Sequence, residues 1–139
     1  MSKIRFFSEK GPEVLLECCK HLKVLTFEAN ETIFKEGSYG SMFYIILKGS
    51  VLLYKQTHNS DNQSHSMELL KILNEGSSFG ELALIEKRPR AATLICREYG
   101  VFAVLEKKDF RNILSNFFKF FLFIFLLVFQ KTFIFLFLI

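Results

Sequence analysis

The stretch Phe79–Thr93 reads FGELALIEKRPRAAT. A Gly-Glu pair leads into a short apolar run, then a basic-Pro-basic step, then two alanines and a threonine. It is too broken for a buried helix and too charged for a core strand. Its first half, GELALIEK, reads as a short helix opening at Gly80. Backbone N–H groups in a first helical turn lack intrahelical partners and carry partial positive charge, so they favour an anion. Gly80 lets a ligand approach the backbone closely, and Ala83 and Ala91 keep side chains clear. Arg90 brings a planar fork of donors that matches phosphate oxygens. Glu81, itself an anion, suits hydroxyl donors instead. One carboxylate for a sugar hydroxyl and one guanidinium for a phosphate point together to a nucleotide.

Working outward, the flanking sequence is rich in short strands. SMFYIILKGSVLLYK reads as two apolar, β-prone runs joined by Lys48-Gly49, a hairpin candidate. KVLTFEANETIFKEG supplies shorter β-rich runs broken at Asn30 and Gly37, and MELLKILNEG another strand ending at Gly76. AATLICREYGVFAVLEK divides into two strands near Glu98–Gly100. HNSDNQSHS is polar throughout and reads as an exposed loop. GPEVLLECCKHL reads as a helix, with Pro12 tolerated in its first turn and Val14, Leu15, Cys18, Cys19 and Leu22 on one side. KKDFRNILSN reads as a second helix presenting Phe110, Ile113 and Leu114. The fold expected is mainly β with flanking helices: an antiparallel β-barrel or jelly roll, helices at both ends, and the short helix of Phe79–Thr93 between two strands.

The chain has 139 residues and a net charge of +4, which suits one domain and offers no basic run for a nucleic-acid surface. The composition changes abruptly after Asn116. Ten of the 18 phenylalanines lie in residues 117–139, so a domain over residues 1–116, with its core at about 14–115, is set apart from an apolar tail. The tail holds Lys119 and Lys131, and the +4 less these two leaves a nearly balanced +2 for the domain. As a helix the tail would run about 34 Å, enough to span a bilayer, but Gln130-Lys131 would then sit at cost within the lipid. Its readings are a membrane anchor, a packed helix, or translated AT-rich non-coding sequence read past an exon end. The N-terminus lacks the long apolar core of a signal peptide. Cys18, Cys19 and Cys96, odd in number and with two adjacent, fit neither a disulfide framework nor a zinc site, and read as small core residues of a reducing compartment.

FGELALIEKRPRAAT resembles the phosphate-binding cassette of the cyclic nucleotide-binding domain family, with its best likeness to regulatory subunits of cAMP-dependent protein kinase and to cAMP-responsive Rap guanine-nucleotide exchange factors. The likeness extends through ETIFKEGSYGSMFYIILKGSVLLYK, ILNEGSSFGELAL and EKKDFRNIL. The resemblance implies that Glu81 accepts from the ribose 2′-hydroxyl and that Gly80, Leu82 and Ala83 line the sugar-phosphate with backbone groups. It implies that Arg90 pairs with the exocyclic phosphate oxygen, that the Ala91 amide adds a donor, and that Ala92 sits at the pocket edge. Leu53 and Leu70 match strand positions that pack near the base in some relatives. In cGMP-selective relatives a Thr or Ser commonly follows the arginine; Ala91 stands there, which favours cAMP over cGMP. Two places depart from the pattern. Acidic residues usual after the glycine of KEG and in the next turn are replaced by Ser38 and Ser41, and where the family follows the DFRNIL helix with further helix that relays binding and often lids the base, this chain runs into the Phe-rich tail.

These readings define a sensor module: ligand cAMP, no cofactor, no metal, and an effector domain or protein that the chain does not encode. A cytoplasmic place is expected, with membrane association through residues 117–139 as a further reading. The rivals are an interaction domain that kept the fold and lost the ligand, and a membrane-anchored fragment. Enzymatic chemistry has no support: His58 and His65 share a polar loop instead of facing strands, and no Cys–His or Ser–His–Asp arrangement is legible. Arg88 and Lys87 read as a solvated rim.

Overall fold

The computed structural model describes residues 11–58, 65–85, 87–117 and 119. Helix α1 (Pro12–Lys20) is followed by β1 (Lys23–Phe27), β2 (Thr32–Phe34), β3 (Met42–Lys48), β4 (Val51–His58), β5 (His65–Leu73), β6 (Ser78–Phe79), the single-turn helix α2 (Leu82–Ile85), β7 (Thr93–Cys96) and β8 (Gly100–Glu106). A terminal helix, α3, begins at residue 107 and continues through 117. The strands form two antiparallel sheets of order β1-β8-β3-β6 and β2-β7-β4-β5. That is a jelly-roll sandwich, two sheets sharing one core, instead of a closed barrel.

Between the sheets lie Tyr44, Ile46, Val51, Leu73, Phe79, Leu94, Cys96, Phe102 and Val104. A second cluster joins the three helices to one sheet: Cys18 from α1, Leu84 from α2, Phe110 and Ile113 from α3, over Phe43 and Leu105. β3 and β8 therefore bury both faces. A strand buried on both faces reads as a continuous apolar run and not as an alternating one, which is why MFYIIL carries no period-2 pattern.

The expected hairpin across Lys48-Gly49 does not form. β3 pairs with β8 and β6, while β4 pairs with β5 and β7, so the two runs belong to different sheets. Gly49, at φ +91°, turns the chain over a corner; a β-carbon there would come within 2.8 Å of the Tyr99 carbonyl oxygen. The strand content of SMFYIILKGSVLLYK was legible, but a β-prone run does not name its neighbour. The strand pair that does meet in sequence order is β4 with β5, from Val51↔Leu73 to His58↔His65. His58 and His65, expected within one polar loop, therefore end two facing strands, because the ladder runs further toward the turn than the polar sequence suggests. The turn region of the expected polar loop, residues 59–64, lies outside the described residues, as do residue 118 and residues 120–139 of the tail. Among the described residues no helix is long and apolar enough to cross a membrane.

The cysteines divide. Cys18 and Cys96 are buried, but Cys19 is exposed, so the core side of α1 is Val14, Leu15 and Cys18, with Leu22 following. Burial pushes the Cys18 and Cys96 thiols up to about 11 from an ordinary 9.0. The unfolded chain releases both protons near its ordinary value while the folded chain retains them, so stability is full below about pH 9 and falls as pH rises toward 11. Denaturant midpoints measured across that window should drop with pH, and less steeply in Cys18→Ala. At neutral pH a thiol reagent should modify Cys19 in the native protein and reach the other two only on unfolding.

Candidate functional site

The segment after β6 wraps a cavity of about 550 Å³ against the β4–β5 end of the second sheet. Phe34, Leu53, Lys71 and Leu73 form its sheet wall, and Gly80–Ala83 and Arg88–Ala92 its other wall. The sequence-predicted residues Gly80, Glu81, Leu82, Ala83, Arg90, Ala91, Ala92 and Leu53 are thus brought together around one space. Leu70 is not among them. The β4–β5 ladder slips between Leu53↔Lys71 and Tyr54↔Leu69, leaving Leu70 as the extra residue of a β-bulge. It projects outward, 54% exposed, and Lys71 takes the inward place. A one-residue offset of this kind cannot be read from a run such as ELLKIL, where every candidate position is equally strand-like.

Arg90 is the centre of the arrangement. It is 8% exposed, and its guanidinium sits over the Phe34 ring with 4.1 Å to the centroid. Nη2 donates to the Met42 carbonyl oxygen at 2.9 Å, while Nε is buried without a hydrogen-bond partner. Two glycines make room for it. A β-carbon at Gly40 would lie 2.8 Å from Nε, and one at Gly80 would lie 2.7 Å from Nη1. Gly80 also has φ +79°, where a side chain is strained in any case. Burial lowers the Arg90 pKa, and Tyr44 and Glu81 pull it back up. An arginine stays charged through such a shift. Glu81 is half-buried at the head of the α2 turn, where Ala83 N–H donates to the Gly80 carbonyl and Leu84 N–H to that of Glu81.

The backbone of Arg90 is pinned from the other side. Arg90 N–H donates to the Ser38 carbonyl at 2.7 Å, Gly37 N–H donates to the Arg90 carbonyl at 2.8 Å, and Tyr39 bridges Pro89. Ser38 and Ser41 bring no carboxylate to this loop. Ser38 turns its hydroxyl to the Lys35 carbonyl, and the Ser41 carbonyl accepts from Lys107 N–H at the start of α3. The contacts of Ser38 and Ser41 to Arg90 and to α3 are main-chain bonds.

A further support was missed from sequence. Lys55 donates to the Ala91 carbonyl at 2.7 Å and pairs with Glu36 at 2.8 Å. Glu36 also accepts from Gln56 N–H, and its own N–H donates to Thr93 Oγ1. This network ties the strand after Arg90 to β4. The signal was available: alternation along β4 puts Lys55 on the same side as Leu53 and Val51, an unusual place for a lysine without a partner.

The surroundings therefore combine one buried cation, one half-buried carboxylate, glycine clearance and an apolar wall. A cyclic nucleotide-binding domain profile matches residues 24–117. Rap guanine nucleotide exchange factor 3 of Mus musculus is 39% identical over 98 residues, which is 67% of this chain and 10% of that protein. A cAMP-dependent protein kinase regulatory subunit of Mucor circinelloides f. lusitanicus is 36% identical over 94 residues, 68% of this chain and 21% of that one. Among solved structures, the regulatory domain of Toxoplasma gondii PKA crystallised with cAMP superposes with a TM-score of 0.65 at 28% identity, covering 80% of this chain and 41% of that chain. The chain belongs to the cyclic nucleotide-binding domain family. It spans only a tenth to a fifth of the length of these curated relatives.

The slot for Arg90 makes Gly40 testable. Gly40→Ala should displace the guanidinium and cost about 1–3 kcal/mol in urea denaturation, as overpacking does. Gly11→Ala, where nothing lies within 4 Å of the added carbon, loses only a glycine N-cap of α1 and should cost less than about 1 kcal/mol.

Proposed function

We propose that the cavity binds a cyclic nucleotide, with cAMP preferred, and that the chain acts as a regulatory sensor without catalytic chemistry of its own. The observation that carries this is the buried Arg90 guanidinium held between two glycines at the wall of a ligand-sized cavity. Arg90 would take the phosphate and Glu81 the ribose hydroxyl. Gly80, Leu82, Ala83 and the Ala91 amide would line the sugar-phosphate, with Ala92 at the edge and Leu53 toward the base. Two relatives support the ligand class: a kinase regulatory subunit that is cAMP-dependent by name, and a domain crystallised with cAMP. Ala91 offers no hydroxyl to a guanine amino group, which favours adenine.

The response to the ligand would pass through Leu84. This residue of α2 packs in the same cluster as Phe110 and Ile113 of α3. A ligand that draws Gly80–Ala83 inward would bias the seat of α3 by no more than its preference for the closed arrangement. An effector coupled to α3 would read that bias.

A second reading, a domain that keeps the fold and has lost the ligand, draws on Ser38 and Ser41. Isothermal titration separates the two. The sensor reading expects heat with cAMP, weaker binding with cGMP, and a loss of about 10- to 150-fold in Arg90→Ala, the worth of a charge-assisted hydrogen bond. Arg88→Ala, an exposed rim residue, should cost less than about five-fold. No heat with either nucleotide sinks the sensor reading, and equal losses in the two variants refute the role of Arg90.

A further inference from the structure

β5 is an edge strand, with β4 on one side and no strand on the other among the described residues. Its outer face is apolar. Met67, Leu69, Leu70 and Ile72 are 47%, 45%, 54% and 39% exposed. In a regular strand these four residues would divide between two faces. The bulge at Leu70 changes that, because it places Leu69 and Leu70 on one side and restores alternation beyond them. Met67, Leu69, Leu70 and Ile72 then share the outer face, beside Leu52 and Tyr54 of β4. Glu68 and Lys71 share the inner face, Glu68 opposite Lys55 and Lys71 opposite Leu53.

The resulting pattern is the same read in either direction from the midpoint between Leu69 and Leu70. Two antiparallel copies of β5 in that register bring Leu69 opposite Leu70, Met67 opposite Ile72 and Glu68 opposite Lys71, each pair occurring twice. A two-fold axis perpendicular to the sheet requires paired residues to lie on the same face, and the bulge is what satisfies that here. Edge lysines ordinarily deter strand pairing. In this register Lys71 meets the one carboxylate of the strand instead. Shifting one residue either way puts Lys71 opposite Leu69 or Met67 and loses both ion pairs.

We propose that β5 is a self-pairing edge, through which two copies of this chain join their second sheets into one continuous eight-stranded sheet with a shared apolar outer face. The interface is isologous, as closed two-fold dimers require.

The test is sedimentation velocity of the full chain without nucleotide, over a range of protein concentration. Wild type should show a reversible monomer–dimer equilibrium. Glu68→Lys alone and Lys71→Glu alone each set like charges opposite one another twice, and each should raise the dimer dissociation constant by about ten-fold. Glu68→Lys combined with Lys71→Glu should restore it, with far-UV circular dichroism unchanged throughout. A wild type that is monomeric at every concentration overturns the proposal. So does a dimer indifferent to the single variants, which would associate through another surface, and so does a double variant no tighter than either single one.

Discussion

Everything at the site follows from burying one guanidinium. Removing a charge from water costs several kcal/mol in a folded protein even after relaxation. The compensation around Arg90 is incomplete. The Phe34 ring contributes about 0.5–2 kcal/mol as a cation–π partner. The Met42 carbonyl takes one N–H of five. The buried Nε is left at a cost of about 1–3 kcal/mol. Glu81 acts on Arg90 electrostatically from the edge of the cavity. A pocket that holds a cation this far from full pairing is one in which an incoming anion gains more than it would at the surface.

The surrounding fold is arranged to hold that cation. Gly40 and Gly80 clear its flanks, and the Ser38 and Gly37 main chain pins its backbone. Glu36 and Lys55 fix the strand that follows it. The same loop reaches the terminal helix, since the Ser41 carbonyl accepts from Lys107 N–H where α3 begins. On the opposite side of the segment Leu84 enters the cluster of Phe110 and Ile113. Two contacts from the segments around Arg90 thus end at α3, one through Ser41 and one through Leu84.

Much of this was legible in the chain because the decisive signals are local. The spacing of Glu81 and Arg90, the small residues beside them, and the apolar faces of α1 and α3 all survive as pattern. The likeness of FGELALIEKRPRAAT to a known cassette then made the family readable. What stayed hidden is relational. Lys48-Gly49 looks like a hairpin turn, yet it is a corner between sheets, because the partners of β3 and β4 are set by strands distant in sequence. Cys19 shares a helical side with Cys18 only in a coarse projection, and the core accepts one of them. Leu70 lost its inward place to a bulge. Glu36 and Lys55 lie 19 residues apart, their partners Thr93 and Ala91 lie 57 and 36 residues away, and the network announces itself only through an out-of-place lysine.

The central claim is that the Arg90 guanidinium receives the phosphate of a nucleotide. The nitrogen-15 resonance of its Nε–H reports on that group directly. Saturating cAMP should shift this resonance, and adenosine, which presents the same base and sugar without the phosphate, should leave it in place at equal concentration. An Nε resonance that does not move with cAMP, or that moves equally with adenosine, would contradict the account.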